Sequence, residues 1–268
     1  MNRPSKRTPS LLLLLPLILM LFSAVGERLA AQTPPPSSAS VSTPSAVVRE
    51  FYKALRERRF REAFAMSILR PAFDPLNEQE LAELRPDFER RAAEVPAVVE
   101  LTGEQISGDE ATVFMKIGEG DALKIEPVYL IREKGVWIIG DRNGKKEIEK
   151  SGKKYFFEAR IEAHHSDVES LLQRFAAVQL VYSAQHGGQF GDLKQLVAAG
   201  LMPQDVLSTE STGYRFHAEV TNGGKSYVAG AEPVAYGRTG RLSYYLDASG
   251  LRSEDRGGKP LKASKPKK

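Results

Sequence analysis

Two neighbouring histidines, His164 and His165, are the first side chains to test for metal chemistry. Neighbouring positions on a helix point about 100° apart, so these two imidazoles do not chelate one ion together. The spacing of two histidines four residues apart, typical of a zinc-binding helix, does not occur here. We therefore interpret His165, which falls on an apolar helical stripe, as a partly buried structural histidine. The sequence has no cysteine, which excludes disulfides, zinc–thiolate sites, cysteine nucleophiles and lipoprotein attachment.

Carboxylates are the other candidates for chemistry, because an acid inside a pocket can act as a general base. Asp109, Glu126 and Asp141 are the residues to test for that role. The acids of the N-terminal half lie mainly in turns or on polar helix faces, and no serine lies in a nucleophile elbow. We therefore predict that the protein is not an enzyme, with acid–base catalysis kept as the alternative.

Composition and charge place the chain among ordinary globular proteins. Of its 268 residues, 41% are hydrophobic and 27% are charged, which allows a packed core. The net charge is +4, and the two ends, residues 1–26 and 256–268, contain three and six basic residues and no acid. Residues 27–255 therefore carry a charge of −5. A mildly acidic body argues against a nucleic-acid-binding face.

The N-terminus has the order of a secretory signal peptide. A short basic region precedes an apolar run from Leu11 to Phe22, and small residues follow. That run is shorter than the roughly 20 residues that a bilayer-spanning helix needs. We predict cleavage after Gly26, no stable transmembrane span afterwards, and a periplasmic or extracellular protein; an uncleaved signal anchor is the alternative. Residues 27–44, rich in Pro and Ser, are predicted to be a flexible linker.

Residues 45–149 are predicted to form a first domain, with helices before an antiparallel sheet. Val48, Phe51, Tyr52 and Leu55 make an apolar helical stripe. Asn77 and Glu80 have the spacing of a capping box at the start of another helix, and Pro86 is expected to interrupt or restart it. After Pro96 the period changes to two, and the Lys134-Gly135 turn predicts a hairpin.

This order of elements resembles the nuclear-transport-factor-2-like superfamily of cone-shaped α+β domains. The segments that carry the resemblance are "VVREFYKALRERRFREAFAMS", "GDEATVFMKI" and "YLIREKGVWIIGD". The resemblance implies a pocket between the helices and a curved sheet, able to take a small apolar ligand. We expect its lining to include Tyr52, Phe64, Met115, Tyr129 and Trp137. Some members are isomerases or cyclases, which is the origin of the enzyme alternative.

Residues 154–256 are predicted to form a second domain, a long helix followed by a meander of antiparallel strands. Its helical stripe is Ile161, His165, Val168, Leu172, Phe175, Val178 and Tyr182. Gly187-Gly188 ends this helix, and Asp192 caps a shorter one. In "RLSYYLD", Leu242, Tyr244 and Leu246 are expected on one face and Ser243, Tyr245 and Asp247 on the other. Residues 257–268 are predicted to be a disordered basic tail.

The second domain resembles the globular head of type IV pilins and type II secretion pseudopilins, without their hydrophobic N-terminal helix. "GYRFHAEV" and "AEPVAYGRTGRLSYYLDASGLRSED" carry this resemblance. It implies a calcium site in the strand-end loops, for which the oxygen ligands would be Asp247, Ser249, Glu254 and Asp255. The simpler interpretation of that segment is a turn, with no cofactor bound. Tyr236 and Tyr245 are the candidates for an outward-facing interaction surface.

The sequence thus predicts an α+β protein of two small domains, each with helices before an antiparallel sheet. We expect a secreted, non-enzymatic envelope protein that acts as an interaction or small-ligand-binding module, with other envelope proteins as partners. The alternatives are an isomerase- or cyclase-type enzyme and an accessory component of a type IV pilus or type II secretion system.

Overall fold

The computed structural model describes residues 42–118, 123–208 and 213–262, and these all belong to one compact unit that begins at Ser42. The predicted signal peptide, most of the predicted linker and the second half of the predicted basic tail lie outside the described residues. The described fold is α+β, with helices and two four-stranded antiparallel sheets. The predicted fold class is therefore confirmed.

Four helices come first along the chain: α1 (Pro44–Arg56), α2 (Phe60–Ala65), α3 (Arg70–Phe73) and α4 (Glu78–Ala93). Thr43 caps α1 by accepting from the Ala46 amide, and Pro44 occupies the first helical position, where its missing N–H costs nothing. The predicted capping box of α4 is confirmed, because the Asn77 side chain accepts from the Glu80 amide and the Glu80 side chain accepts from the Asn77 amide.

The prediction that Pro86 interrupts α4 is wrong, because the helix continues through it to Ala93. A proline inside a helix frees the carbonyl four residues earlier, here that of Ala82. Both Ala82 and Pro86 are exposed, so solvent can satisfy that carbonyl. Leu84 and Phe88 bury the opposite face of α4.

The first sheet is a meander of β1 (Glu100–Ser107), β2 (Glu110–Ile117), β3 (Lys124–Glu133) and β4 (Val136–Ile139), in that spatial order. The alternation predicted for β2 is confirmed, since Ala111, Val113 and Met115 are buried. Lys134 and Gly135 both have positive φ, as a tight hairpin turn requires. The buried residues of β2–β4 pack against Val47 and Val48 of α1.

Helix α5 (Arg142–Ser151), which the sequence did not predict, links the first sheet to the long α6 (Tyr155–Gln185). Asp141 caps α5 by accepting from the Asn143 and Gly144 amides. The first turn of α6 supplies Phe156 and Phe157 to the core formed by α1–α5. Arg160, on the next turn, contacts Glu83 and Asp87 of α4. The start of the long helix is therefore part of the N-terminal core.

The second sheet is the meander β5 (Tyr214–Thr221), β6 (Ser226–Pro233), β7 (Leu242–Asp247) and β8 (Gly250–Asp255), and α6 packs on one face with α7 (Leu193–Ala198). Pro233, predicted at an edge or a bulge, ends a strand that lies between two others. Strand β6 pairs with β7 only over Ala229–Ala231, so Pro233 lies beyond the last of those pairs.

The buried stripe of α6 differs from the predicted one at two positions. His164 is 6% exposed and Gln179 is fully buried, where the apolar pattern favoured His165 and Val178. Both buried side chains are satisfied, because His164 Nδ1 lies 2.8 Å from the Thr239 carbonyl oxygen and Gln179 exchanges two hydrogen bonds with Gly191. A polar residue can be buried in the core when its hydrogen-bonding groups are satisfied, so a pattern of apolar residues alone does not identify such positions.

Candidate functional site

Of the five residues predicted to line one pocket, Tyr52, Met115 and Trp137 meet in one core, whereas Phe64 and Tyr129 lie elsewhere. Phe64 belongs to the helical core, whereas Met115 and Trp137 belong to the core between α1 and the first sheet. Tyr52 is half-buried and contacts both cores. Tyr129 is 37% exposed, while its neighbours on β3, Val128 and Leu130, are buried, so it lies on the opposite face of the sheet.

Of the three acids predicted as general bases, only Glu126 lies on the inner face of the first sheet. Asp109 is exposed, and the Asp141 carboxylate caps α5. Glu126 is half-buried opposite Met115. Burial raises the pKa of Tyr52 to about 12, and the nearby charge of Glu126 adds to that effect. Tyr52 therefore stays protonated at neutral pH and can donate a hydrogen bond.

The four predicted calcium ligands lie at two ends of one hairpin. Asp247 and Ser249 form its tip, where the Ser249 amide donates to Asp247 Oδ1 over 2.8 Å. Glu254 and Asp255 end β8, and Asp255 is opposite Leu242 at the far end of β7. At about 3.3 Å per residue, the two pairs are roughly 15 Å apart. Ligands of one calcium ion lie within 2.6 Å of it, so these residues do not share an ion.

The two neighbouring histidines anchor the loop before β7. His165 Nε2 accepts from the backbone amides of Arg241 (3.0 Å) and Leu242 (3.2 Å). Burial lowers the pKa of both His164 and His165. For His165 this favours the neutral imidazole, which its role as an acceptor requires. In the part of the chain that the structure describes, no three His, Asp or Glu side chains are placed to hold a metal ion.

The two tyrosines predicted for an interaction surface differ in exposure. Tyr236 is 49% exposed, and its hydroxyl donates to Asp255 Oδ2 over 2.9 Å. Tyr245 is only 9% exposed, and the Arg252 guanidinium lies 4.9 Å from its ring centroid. Only Tyr236 therefore offers a substantial surface to a partner.

The second sheet also buries polar groups on the face away from α6. Glu232 is 5% exposed and lies 3.4 Å from Arg215 and 3.3 Å from His217. Its Oε2 and the buried Ser243 hydroxyl have no hydrogen-bond partner among the described residues. Both atoms are closed to solvent, so neither is accessible to a ligand.

A groove between α2 and α4, hereafter the α2–α4 groove, is an open concave feature of the described residues. It has a volume of about 410 Å³, within the range of small-molecule sites. A second cavity, beneath the second sheet, has room for about 10 Å³ only, the size of one water molecule. The α2–α4 groove is lined by Arg58, Arg59, Phe60, Arg61, Glu62, Phe73, Glu78, Leu81, Ala82, Arg85 and Phe88.

The floor of the α2–α4 groove is made of phenylalanine rings from three helices. Phe60 of α2 lies 5.6 Å from Phe88 of α4, and Phe73 of α3 lies 5.9 Å from Phe88, between ring centroids. Behind them, Phe64 and Phe156 extend the aromatic cluster into the core. Aromatic rings packed at such distances form a rigid apolar surface. The floor therefore exists before any ligand binds.

The rim of the groove on the α1–α2 side is basic, and its arginines differ in their partners. Arg59 is saturated, because it pairs with Glu50, Glu57 and Glu62. Arg58 and Arg61 form no ion pair with any described residue. The Arg61 guanidinium lies 5.5 Å from the centroid of the Phe73 ring. Two cations at this edge of the floor are therefore without an acidic partner.

Arg58 is held in a conformation that usually belongs to glycine. Its φ is 58°, in the left-handed region. The Arg58 amide donates to the Leu55 carbonyl and the Arg59 amide donates to the Ala54 carbonyl, which is the bond pattern of a Schellman motif. Arg58 occupies the position after the C-cap, where glycine avoids the steric cost. The chain therefore places a long cation at the rim at some cost in stability.

The groove was not predicted from the sequence, although its residues carried a signal. The segment "RERRFREAF" contains four arginines and two phenylalanines within nine residues. Its mixture of arginine and glutamate is also typical of an ordinary solvent-exposed helix. The signal was the excess of arginine over glutamate beside two aromatic residues. Whether it marks a basic binding site depends on which arginines form ion pairs in the fold.

Comparison with known proteins finds no match: no family model fits the chain, and no curated protein or solved structure is significantly similar to it. The geometry of the described residues is therefore the basis for any functional argument. None of the helices in those residues has an apolar stretch long enough to cross a bilayer.

Proposed function

We propose that the protein is a non-enzymatic binding module whose α2–α4 groove holds a small apolar ligand on its phenylalanine floor. The observation that carries this proposal is a groove of about 410 Å³ floored by Phe60, Phe73 and Phe88. Burial of roughly 200 Å² of ligand surface contributes about 5 kcal/mol, and the translational and rotational freedom that the ligand loses on binding offsets part of this gain.

Titration with the uncharged fluorescent probe N-phenyl-1-naphthylamine tests the proposal. We expect saturable binding with a stoichiometry of one. The variant Ala82→Trp fills the groove from an exposed position of α4 and should abolish binding without removing any core side chain. Ala93→Trp adds the same ring to another exposed position of α4, outside the groove, and should bind the probe like the wild type. Equal binding by both variants would contradict the proposal.

The enzyme alternative is favoured by one observation, the half-buried Glu126 beside the protonated Tyr52. An isomerase or cyclase of this kind would use Glu126 as the base and Tyr52 to stabilise an enolate oxygen. The test is the conversion of a β,γ-unsaturated ketone to its conjugated isomer, followed by ultraviolet absorbance. Activity that disappears in Glu126→Gln would support this alternative, and no rate above buffer would reject it.

The architecture and the N-terminus supply further parts of the proposal. We infer a nuclear-transport-factor-2-like first domain (45–149) and a pilin-like second domain (154–256), in a protein secreted to the periplasm or beyond, where envelope proteins are its partners. The helix-before-sheet order of each half supports the two resemblances. N-terminal sequencing of the exported protein should begin at Glu27. A mature chain that retains Met1 would contradict cleavage.

A further inference from the structure

We infer that the ligand of the α2–α4 groove carries one anionic head group, a carboxylate or a sulfonate, bound by Arg58 and Arg61. This inference rests on the proposed function and names the chemical class of its ligand. The molecule would be an amphiphile, with an apolar ring system or chain on the phenylalanine floor and its charge at the α1–α2 rim.

Charge accounting in the groove favours an anion. Four arginines and two glutamates line it. The Arg59–Glu62 pair is internal, and Arg85 pairs with Glu89 outside the groove. The groove-lining charges that form no ion pair with the described residues are Arg58, Arg61 and Glu78, which sum to +1. An amphiphile with one negative charge would offset that charge.

The position of Arg61 fits the same ligand. Its guanidinium lies 5.5 Å from the centroid of the Phe73 ring, so the cation is next to one of the rings of the floor. A molecule lying flat on that floor brings a terminal carboxylate or sulfonate to the guanidinium. A guanidinium presents paired N–H donors that match the oxygens of such a group. The head group thus meets the cation where the apolar surface ends.

Arg58 gives a second, independent argument. Its backbone is in the left-handed region, at a helix-ending position where glycine costs less. The exposed side chain forms no ion pair with the described residues, so no ion pair of Arg58 offsets this conformation. Backbone strain at a residue that is not glycine is a reason to look for a role in binding. Arg58 lines the groove, which favours a role of its side chain in binding the ligand.

Glu78 is the group that opposes the inference, because it lies in the first turn of α4 and also lines the groove. Its carboxylate is on the helix across the groove from the two arginines. Removal of its charge should therefore strengthen the binding of an anion or leave it unchanged. Removal of the Glu78 charge is thus predicted to change the affinity for an anion in the direction opposite to removal of the two arginines.

Two probes that differ only in the head group provide the test. 8-Anilino-1-naphthalenesulfonate has the ring system of N-phenyl-1-naphthylamine plus one sulfonate. We expect the sulfonate to bind the wild type about five- to tenfold more tightly than the uncharged probe, since each exposed ion pair contributes about 0.5 kcal/mol or more. In the double variant Arg58→Gln/Arg61→Gln, the preference for the sulfonate over the uncharged probe should be lost.

Three controls separate the outcomes. Arg49→Gln removes an exposed arginine of α1 outside the groove and should leave both affinities unchanged, and Glu78→Gln should not weaken the sulfonate. Near-ultraviolet circular dichroism verifies that each variant keeps its packed aromatic core. Equal affinity of the two probes, unchanged in the double variant, would overturn the anionic head group and leave the proposed function standing. Binding of neither probe would overturn both.

Discussion

Replacement of Gln179 by leucine removes a side chain of α6 that forms hydrogen bonds with both the amide and the carbonyl of Gly191. Gln179 is fully buried; its Nε2 donates to the Gly191 carbonyl over 2.6 Å, and its Oε1 accepts from the Gly191 amide over 3.0 Å. Leucine fills the space but offers neither bond. Gly191 is buried too and immediately precedes Asp192, which caps α7.

The expected cost follows from the two backbone groups left unpaired. Each buried N–H or C=O without a partner costs about 1–3 kcal/mol, and the extra apolar surface of leucine recovers about 1–2 kcal/mol. We therefore expect Gln179→Leu to lower the free energy of unfolding by about 3 kcal/mol. For a unit of this size, that corresponds to a fall in Tm of roughly 6–12 °C.

Urea unfolding followed by far-ultraviolet circular dichroism measures this change. The matched control is Gln173→Leu, also on α6, where the side chain is exposed and makes only a 3.4 Å bond to Glu169. The control should change stability by less than about 0.5 kcal/mol. If Gln179→Leu is no more destabilising than Gln173→Leu, the argument that Gln179 anchors the segment before α7 is wrong.

Three further predictions concern stability. Arg58→Gly should raise the free energy of unfolding by about 1 kcal/mol, because glycine adopts the left-handed conformation without strain. Arg58→Ala should not raise it. The same free energy of unfolding for both variants would contradict the strain argument. The contribution of His165 to stability should be complete above pH 6.5 and should decrease as the pH falls towards its lowered pKa. Urea unfolding at pH 7.5 and 5.0 measures the change in the free energy of unfolding. The same change in His165→Gln would show that His165 is not its cause. Gly240→Ala places a methyl group onto the hydroxyl of the buried Tyr214 and should lower the free energy of unfolding by about 2 kcal/mol. The control is Gly103→Ala, where the added methyl group meets no other atom within 4 Å. Equal urea midpoints for the two variants would refute the clash.

Local signals predicted much of the fold because they act within a few residues of chain. The capping box at Asn77 and Glu80, the cap at Asp192 and the Lys134-Gly135 turn are all in place. Helix α5 was missed because its ten residues contain one buried apolar side chain, Ile148. Its stability comes from the Asp141 cap and from packing, and neither produces a periodic pattern.

The candidate site was harder to predict than the fold because it depends on partners distant in sequence. Arg58, Arg59 and Arg61 are alike in the sequence, yet only Arg59 is surrounded by acids in the fold, one of them Glu50 of α1. Likewise, the four predicted calcium ligands are close in sequence, but the hairpin register separates Asp247 from Asp255. Proximity along the chain is a poor guide to a site built on two antiparallel strands.

A single NMR titration tests the central claim most directly. N-phenyl-1-naphthylamine added to the isotope-labelled protein should shift the signals of Phe60, Phe73, Leu81 and Ala82, which line the α2–α4 groove, and leave Tyr52 and Trp137 unchanged. Shifts confined to Tyr52, Glu126 and Trp137 would place the ligand against the first sheet and would contradict the groove as the binding site.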